Sequence, residues 1–225
     1  LFSALDRINT GDLCAWPNTS EDENSSMLKQ LEQNEHVKCY RVDDYLLTNW
    51  QKINGHELKN QSYQLQPWTT DYPVYNKEQT AFLEQPEELS AGETYVPLAF
   101  SILYDCEIGS KIELITNYGS HYLTIKGFVE EPFMGAYMIG YKIYFLSNAD
   151  YELLKKEKTD PTDCKQKLLI SGQQVHIFQK EDSTLTDTAF TRSVNKSCGI
   201  IDQSFLSISK RFLSLPLNQL LSVPG

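Results

Sequence analysis

The clearest alternation of apolar and polar positions lies between residues 93 and 147. In KIELIT, residues 111–116, Ile112 and Leu114 face one way, with Lys111, Glu113 and Ile115 on the other side. That two-residue period predicts a half-buried strand. HYLTIKGFVEE, residues 121–131, returns as a second strand with Leu123, Ile125 and Val129 on one face, and Gly127 within it predicts a bulge or a close backbone approach. Asn117-Tyr118-Gly119-Ser120 is the hairpin connection, because Asn and Gly tolerate positive φ. Upstream, ETYVPLAF begins as a strand, and Pro97 opens a short helix over 98–104. Downstream, YKIYFLS, 141–147, is another strand. Ser147, with Asp150 three residues on, predicts the N-cap of the helix NADYELLKKEK, whose lysines gather at its C-terminal end as the helix dipole favours.

The chain ends pattern differently. Met27, Leu28 and Leu31 mark one face of a helix over 24–35, and VKCYRVDDYLL, 37–47, follows as a strand. Near the other end, QQVHIFQ is a strand, DSTLTDTAFTRSV a capped helix and CGIID a short strand or turn. The tail has helical spacing at Phe205, Ile208, Phe212 and Leu215 until Pro216 interrupts it. PNTSEDENSS, 17–26, reads as a loop, and Leu1, Leu5 and Ile8 fit the last turns of a helix entering from outside the segment. Residues 48–90, rich in Gln, Asn, Glu and Tyr and carrying Pro67, Pro73 and Pro86, predict short strands joined by irregular loops. Their aromatics Trp50, Tyr63, Trp68, Tyr72, Tyr75 and Phe82 predict that the stretch packs against something.

Helix–strand units at both ends and strands between them predict an α+β fold of two lobes. A mixed α/β lobe is expected from both chain ends, 1–60 and 166–225. A strand-rich lobe, 61–165, is expected to be inserted into it.

A formal charge of −10 over 225 residues excludes nucleic acid as a natural partner and disfavours attraction to an anionic membrane by charge alone. No run of 18 apolar residues occurs, and the most apolar window, MGAYMIGYKIYFL at 134–146, is too short to span a bilayer and carries a Lys. A Leu start without a signal peptide fits an excised or processed piece. Cysteines 14, 39, 106, 164 and 198 are never closer than 25 residues, so CxxC metal and redox patterns are absent. Buried thiols or one incidental disulfide account for them. N-x-S/T sequons begin at Asn18, Asn24, Asn60 and Asn195 and would mark surface positions only in a secreted eukaryotic protein.

The residues for chemistry are present without the spacing for it. Histidines 36, 56, 121 and 176 form no close pair. Ser120 and His121 are neighbours on a strand, so they point to opposite faces and cannot act as nucleophile and base. Asp43-Asp44, Glu87-Glu88 and Glu130-Glu131 are adjacent acids, better explained as solvated edges than as carboxyls facing across a substrate bond. No Gly-rich phosphate loop, calcium loop or GxSxG occurs. Cys106 has no basic neighbour in sequence to activate it. The expectation is therefore a protein without catalytic residues, metal or cofactor. Its candidate contact surface is EPFMGAYMIG, 131–140, where Phe133, Met134, Tyr137 and Met138 would meet a partner or lipid.

The middle segment resembles the extracytoplasmic domain of FtsX-like, MacB-like ABC transporter permeases. Gly92-Glu93, the short helix after Pro97, Ile108-Gly109, Leu123-Thr124-Ile125-Lys126-Gly127 and Ser147-Asn148-Ala149-Asp150-Tyr151 follow in that family's order over roughly 88–156, with a looser match at 27–47. The family's turn Asp is Ser110 here. The resemblance implies a two-lobed, non-catalytic domain between two transmembrane helices, on the outer face of the bacterial cytoplasmic membrane. It implies coupling to a cytoplasmic ATPase subunit and a second permease copy. It also implies action on a peptide, lipoprotein or envelope protein by shape change and contact. A different class is a secreted or lipid-anchored protein capturing a peptide or glycan in an aromatic cleft around Trp50, Trp68 and Tyr72. A hydrolase would need a convergent Ser/Cys–His or carboxylate pair assembled from distant residues.

Overall fold

The computed structural model describes residues 11–16, 21–69, 72–130, 142–157, 169–197 and 206–209. The elements run β1 (Leu13–Trp16), α1 (Glu21–Gln33), β2 (Val37–Ile53), β3 (His56–Pro67), β4 (Glu93–Pro97), α2 (Ala99–Leu103), β5 (Lys111–Thr116), β6 (Gly119–Val129), β7 (Lys142–Leu146), α3 (Asn148–Lys156), β8 (Leu169–Gln179), α4 (Asp187–Ser197) and β9 (Leu206–Ser209). The fold is α+β. It divides into two compact units, one from 1–43 with 173–225 and one from 44–172. These limits fall inside β2 and β8, not at the expected 60/61 and 165/166. The strands run on where loops were anticipated.

In the unit built from both ends, the strands are ordered β2-β8-β1-β9. β1 pairs antiparallel with β8, Cys14 opposite His176, and with β9, Cys14 opposite Ile208. Alternation along these strands sends Leu13, Ala15, Val175 and Ile177 into one apolar cluster with Met27 and Leu31 of α1 and Phe190 and Val194 of α4. Two expectations are corrected here, and β1 is a strand for which no element was expected. Helix α1 begins at Glu21, inside the expected loop. Residues 206–209 form a strand rather than a helical turn, since alternating LSIS pairs along β1. The expectations for 1–10, 198–202 and the remainder of the tail lie outside the described residues.

In the other unit, β2 pairs with β3 and β5, β5 with β6, β6 with β4, β4 with β7, and β7 with β3. The pairings therefore close on themselves as a small mixed barrel. All six strands send side chains into one cluster, including Leu46, Tyr63, Val96, Leu114, Ile125 and Tyr144, with Phe100 from α2 and Tyr151 and Leu154 from α3. KIELIT alternates as predicted, Ile112 and Leu114 buried and Lys111 exposed. In β6 the register steps from Thr94↔Ile125 to Tyr95↔Gly127, which leaves Lys126 as a bulge. That extra residue reverses the alternation, so Phe128 joins Leu123 and Ile125 in the barrel cluster in place of the expected Val129. Gly127 also permits a close approach, because a Cβ there would sit 3.1 Å from Tyr95 Cε1.

The stretch after β3 packs as its aromatics predicted. Tyr72 lies tilted and Trp68 edge-on against Phe145, at 4.5 and 5.3 Å between ring centroids, and Trp68 lies 4.6 Å from Tyr95. Val74 bridges Val129, Glu130 N donates to Pro73 O at 2.9 Å, and Leu83 N donates to Val74 O at 2.8 Å. The short strands expected over 48–67 are instead the long β2–β3 hairpin.

Ser147 caps α3 as its sequence signature predicts. Its Oγ accepts from Asp150 N at 3.1 Å and donates to Asp150 Oδ2 at 2.7 Å. The same Oδ2 accepts from Gly92 N at 2.8 Å, with Gly92 at φ +80, where a side chain would be strained. One carboxylate thus ties the start of α3 to the bend before β4. Ser147→Ala is expected to cost about 1 kcal/mol, typical of a lost N-cap, measured as a lower midpoint in urea unfolding.

Candidate functional site

Phe133, Met134, Tyr137 and Met138 lie outside the described residues. The other sequence candidates are placed and do not converge. Ser120 Oγ donates to Glu113 Oε1 at 2.7 Å on the outer face of the sheet. His121 Nε2 turns to the opposite face and meets Glu157 Oε2 at 2.9 Å, an oxygen that also accepts from Thr116 Oγ1. Cys106 is buried and its Sγ points at Tyr104 O, 3.8 Å away. Burial, with Asp105 beside it, pushes that thiol up to about 11, the wrong direction for a nucleophile. The paired acids separate as alternation demands. Asp43 meets Arg41 and His176, while Asp44 meets Lys155 at 3.7 Å. Glu87 pairs with Lys126 at 3.1 Å. Trp68 and Tyr72 are buried on Phe145, whereas the Trp50 indole donates to Glu57 on an exposed hairpin face. The three aromatics proposed to line a cleft therefore do not share one.

What the sequence did not reveal is a buried polar cluster in the unit made from both chain ends. Cys14 on β1 and His176 on β8 are register partners, each 1% exposed. His176 Nε2 lies 3.0 Å from Asp43 Oδ2 on β2, and the same carboxylate receives Arg41 Nη2 at 3.1 Å. Gln174 Nε2 donates to Cys14 Sγ at 3.1 Å. Burial alone would lower the His176 pKa, but its contacts with Asp43 and Cys14 together outweigh burial and raise it to about 10. For Asp43, burial opposes ionisation, and the His176 and Arg41 contacts more than compensate, so its pKa falls below the usual value.

Thiol, imidazole and carboxylate in this order are the parts of an activated cysteine. Here the sulfur sits on a strand paired on both sides and has almost no surface, so no substrate carbonyl can be brought to it. The cluster is a buried ion pair within a sheet. The signal for it was Asp43, a charge in the interior of an otherwise strand-like run; Arg41 is its neighbour in sequence, but His176 comes from a segment more than 130 residues away.

The motif positions of the middle segment do come together. Gly92 is joined to Asp150 as described, Gly109 N donates to Ile125 O at 2.7 Å, and Ile125 N to Ser110 O at 2.9 Å. Ser110 Oγ accepts from Glu107 N at 2.9 Å, which gives this turn a side-chain brace where the family pattern has Asp. Each glycine-bearing bend is thus anchored to the strand carrying LTIKG.

No family model matches the chain, and no curated protein matches it. Among solved structures, the periplasmic region of MacB from Actinobacillus actinomycetemcomitans is similar, with TM-score 0.42 and 8% identity over 99% of this chain and 100% of that one. A domain described as belonging to a permease protein from Porphyromonas gingivalis is similar too, with TM-score 0.38 and 8% identity over 96% and 98%. Neither likeness assigns it a partner or a substrate. No described helix is long and apolar enough to cross a membrane.

Proposed function

We propose that this chain is the extracytoplasmic domain of an FtsX/MacB-like ABC transporter permease, a non-catalytic module that contacts a partner or substrate and transmits conformational change. The observation that carries this is the joined set of motif residues. Gly92, the 107–110 turn, the bulged LTIKG strand and the Ser147–Asp150 cap occur in the family's order and are tied to one another by hydrogen bonds. The unit formed by both chain ends would be membrane-proximal. The rest of the permease would link it to a cytoplasmic ATPase subunit and a second permease copy. The natural ligand class is a peptide, lipoprotein or envelope protein.

Cys39 provides the test, because it is exposed while Cys14 and Cys106 are buried. The whole open reading frame, with Cys164 and Cys198 replaced by Ser, is expressed in cells. A membrane-impermeant maleimide should label Cys39 in intact cells, and Cys39→Ser should abolish the label. Labelling only after lysis, or an open reading frame without transmembrane helices on both sides of this segment, would defeat the proposal.

A further inference from the structure

We propose that an acidic, apolar belt on the barrel unit, running from Phe82 and Leu83 to Ile102, Leu103 and Ile108, is a docking surface for a basic amphipathic polypeptide segment. These five side chains are exposed large hydrophobics, Ile102 at 82% and Ile108 at 45%. Core residues of the barrel unit such as Phe100 and Val96 are fully enclosed, so the exposed set is not excess core. Backbone hydrogen bonds join the segments that carry them, including Cys106 N, two residues before Ile108, which donates to Phe100 O of α2 at 3.4 Å. Leu83 N donates to Val74 O, Val74 bridges Val129, Leu98 N donates to Val129 O at 3.1 Å, and α2 with Ile102 and Leu103 starts directly after Leu98.

Charge selects the occupant. Segments 76–93 and 98–110 together carry seven carboxylates and one lysine, Lys77. Lys126 reaches in from β6 and engages Glu87 and Glu93, each at 3.1 Å. Glu84, Glu88, Asp105 and Glu107 are left on the surface beside the apolar residues. A second copy would bring the same negative belt against this one, and an anionic lipid surface would be repelled. A partner with leucine-like residues on one face and Lys or Arg beside them satisfies both features, in the helix-on-apolar-surface mode of peptide recognition. The proposal concerns this surface alone and holds for any placement of the chain relative to a membrane.

The test uses the full 225-residue chain and a labelled Leu/Lys amphipathic peptide of about 14 residues, followed by fluorescence anisotropy. Two comparison peptides keep the Leu pattern with Glu, or the Lys pattern with Ser. The Leu/Lys peptide is expected to bind and the other two to bind far less. Ile102→Ser with Leu103→Ser should weaken binding about tenfold. Glu84→Gln with Glu107→Gln, which leaves every apolar group in place, should weaken it about threefold and flatten its salt dependence. Leu153→Ser, at an exposed leucine on α3, should change nothing. The proposal is overturned if the Leu/Lys peptide does not bind, if the Leu/Glu peptide binds as well, or if Leu153→Ser matters as much as the belt changes. Binding of anionic vesicles in place of the peptide would also overturn it. None of these outcomes alters Cys39 labelling, so the two proposals fail separately.

Discussion

Asp43→Ala is expected to destabilise the unit made from both chain ends by about 3 kcal/mol at neutral pH, the lower end of the range for breaking a buried ion pair. The lower end applies because the Asp43 side chain keeps 23% of its exposure. The loss comes less from the missing carboxylate than from what it leaves behind, a 1% exposed imidazole that must either stay charged without a partner or give up its proton. The pH profile identifies the cause. His176 binds its proton more tightly in the folded chain, so its contribution is complete below its ordinary value of 6.5 and is lost as pH rises through about 10. Asp43 holds its proton less tightly when folded, so its contribution is present above 3.8 and is lost as pH falls. The stability gap between wild type and Asp43→Ala should therefore be widest between about pH 4 and 6.5 and close toward pH 10. Urea titrations across that range measure it. A gap independent of pH would mean that Asp43 acts only through packing.

Phe100→Ala is expected to cost about 3–5 kcal/mol. Phe100 has no exposed surface and stands edge-on to Tyr63, Tyr104 and Tyr144 at 6.0, 5.3 and 6.1 Å between centroids. Tyr63 and Tyr104 are further joined through their hydroxyls. These rings come from β3, β7 and the segment after α2, so they are held by separate strand pairings and cannot collapse into the space the benzyl group leaves. Phe100→Leu, which fills most of that volume, should lose less than half as much. A similar loss in both variants, read from urea unfolding midpoints, would show that the aromatic edge contacts rather than the volume carry the energy.

The parts of the fold that were legible are those whose determinants are close in sequence. The β5–β6 hairpin, the Ser147 cap and the Gly127 irregularity each depend on residues within a few positions of one another. The β2–β3 hairpin was missed because polar residues occupy enclosed positions along it. Thr48, Gln51, Gln64 and Gln66 are all buried, so the strands show no hydrophobic period. The usable signal was Asn54-Gly55, both at positive φ, which closes that hairpin as a tight turn. β1 was missed because four residues, LCAW, are too few to show a period. The His176–Asp43–Cys14 cluster could not be read because it is assembled by register between three strands, and register is set by tertiary pairing. A bulge or close approach was anticipated at Gly127, but not that Lys126 is the extra residue or that it changes which residues face the core, and that is why Phe128 rather than Val129 joins the barrel cluster.

The closed circuit of strands in the barrel unit also sets an order of events during synthesis. β2 with β3 and β5 with β6 are local hairpins that can form as soon as they emerge. The circuit is completed only by β7, which joins β3 to β4 across a long sequence separation and pays a correspondingly late loop-closure entropy. A nascent chain halted before Lys142 therefore carries two hairpins and β4, with the edges of β3 and β4 open to other chains. Until KIYFL is in place, those edges stay open to pairing with another chain.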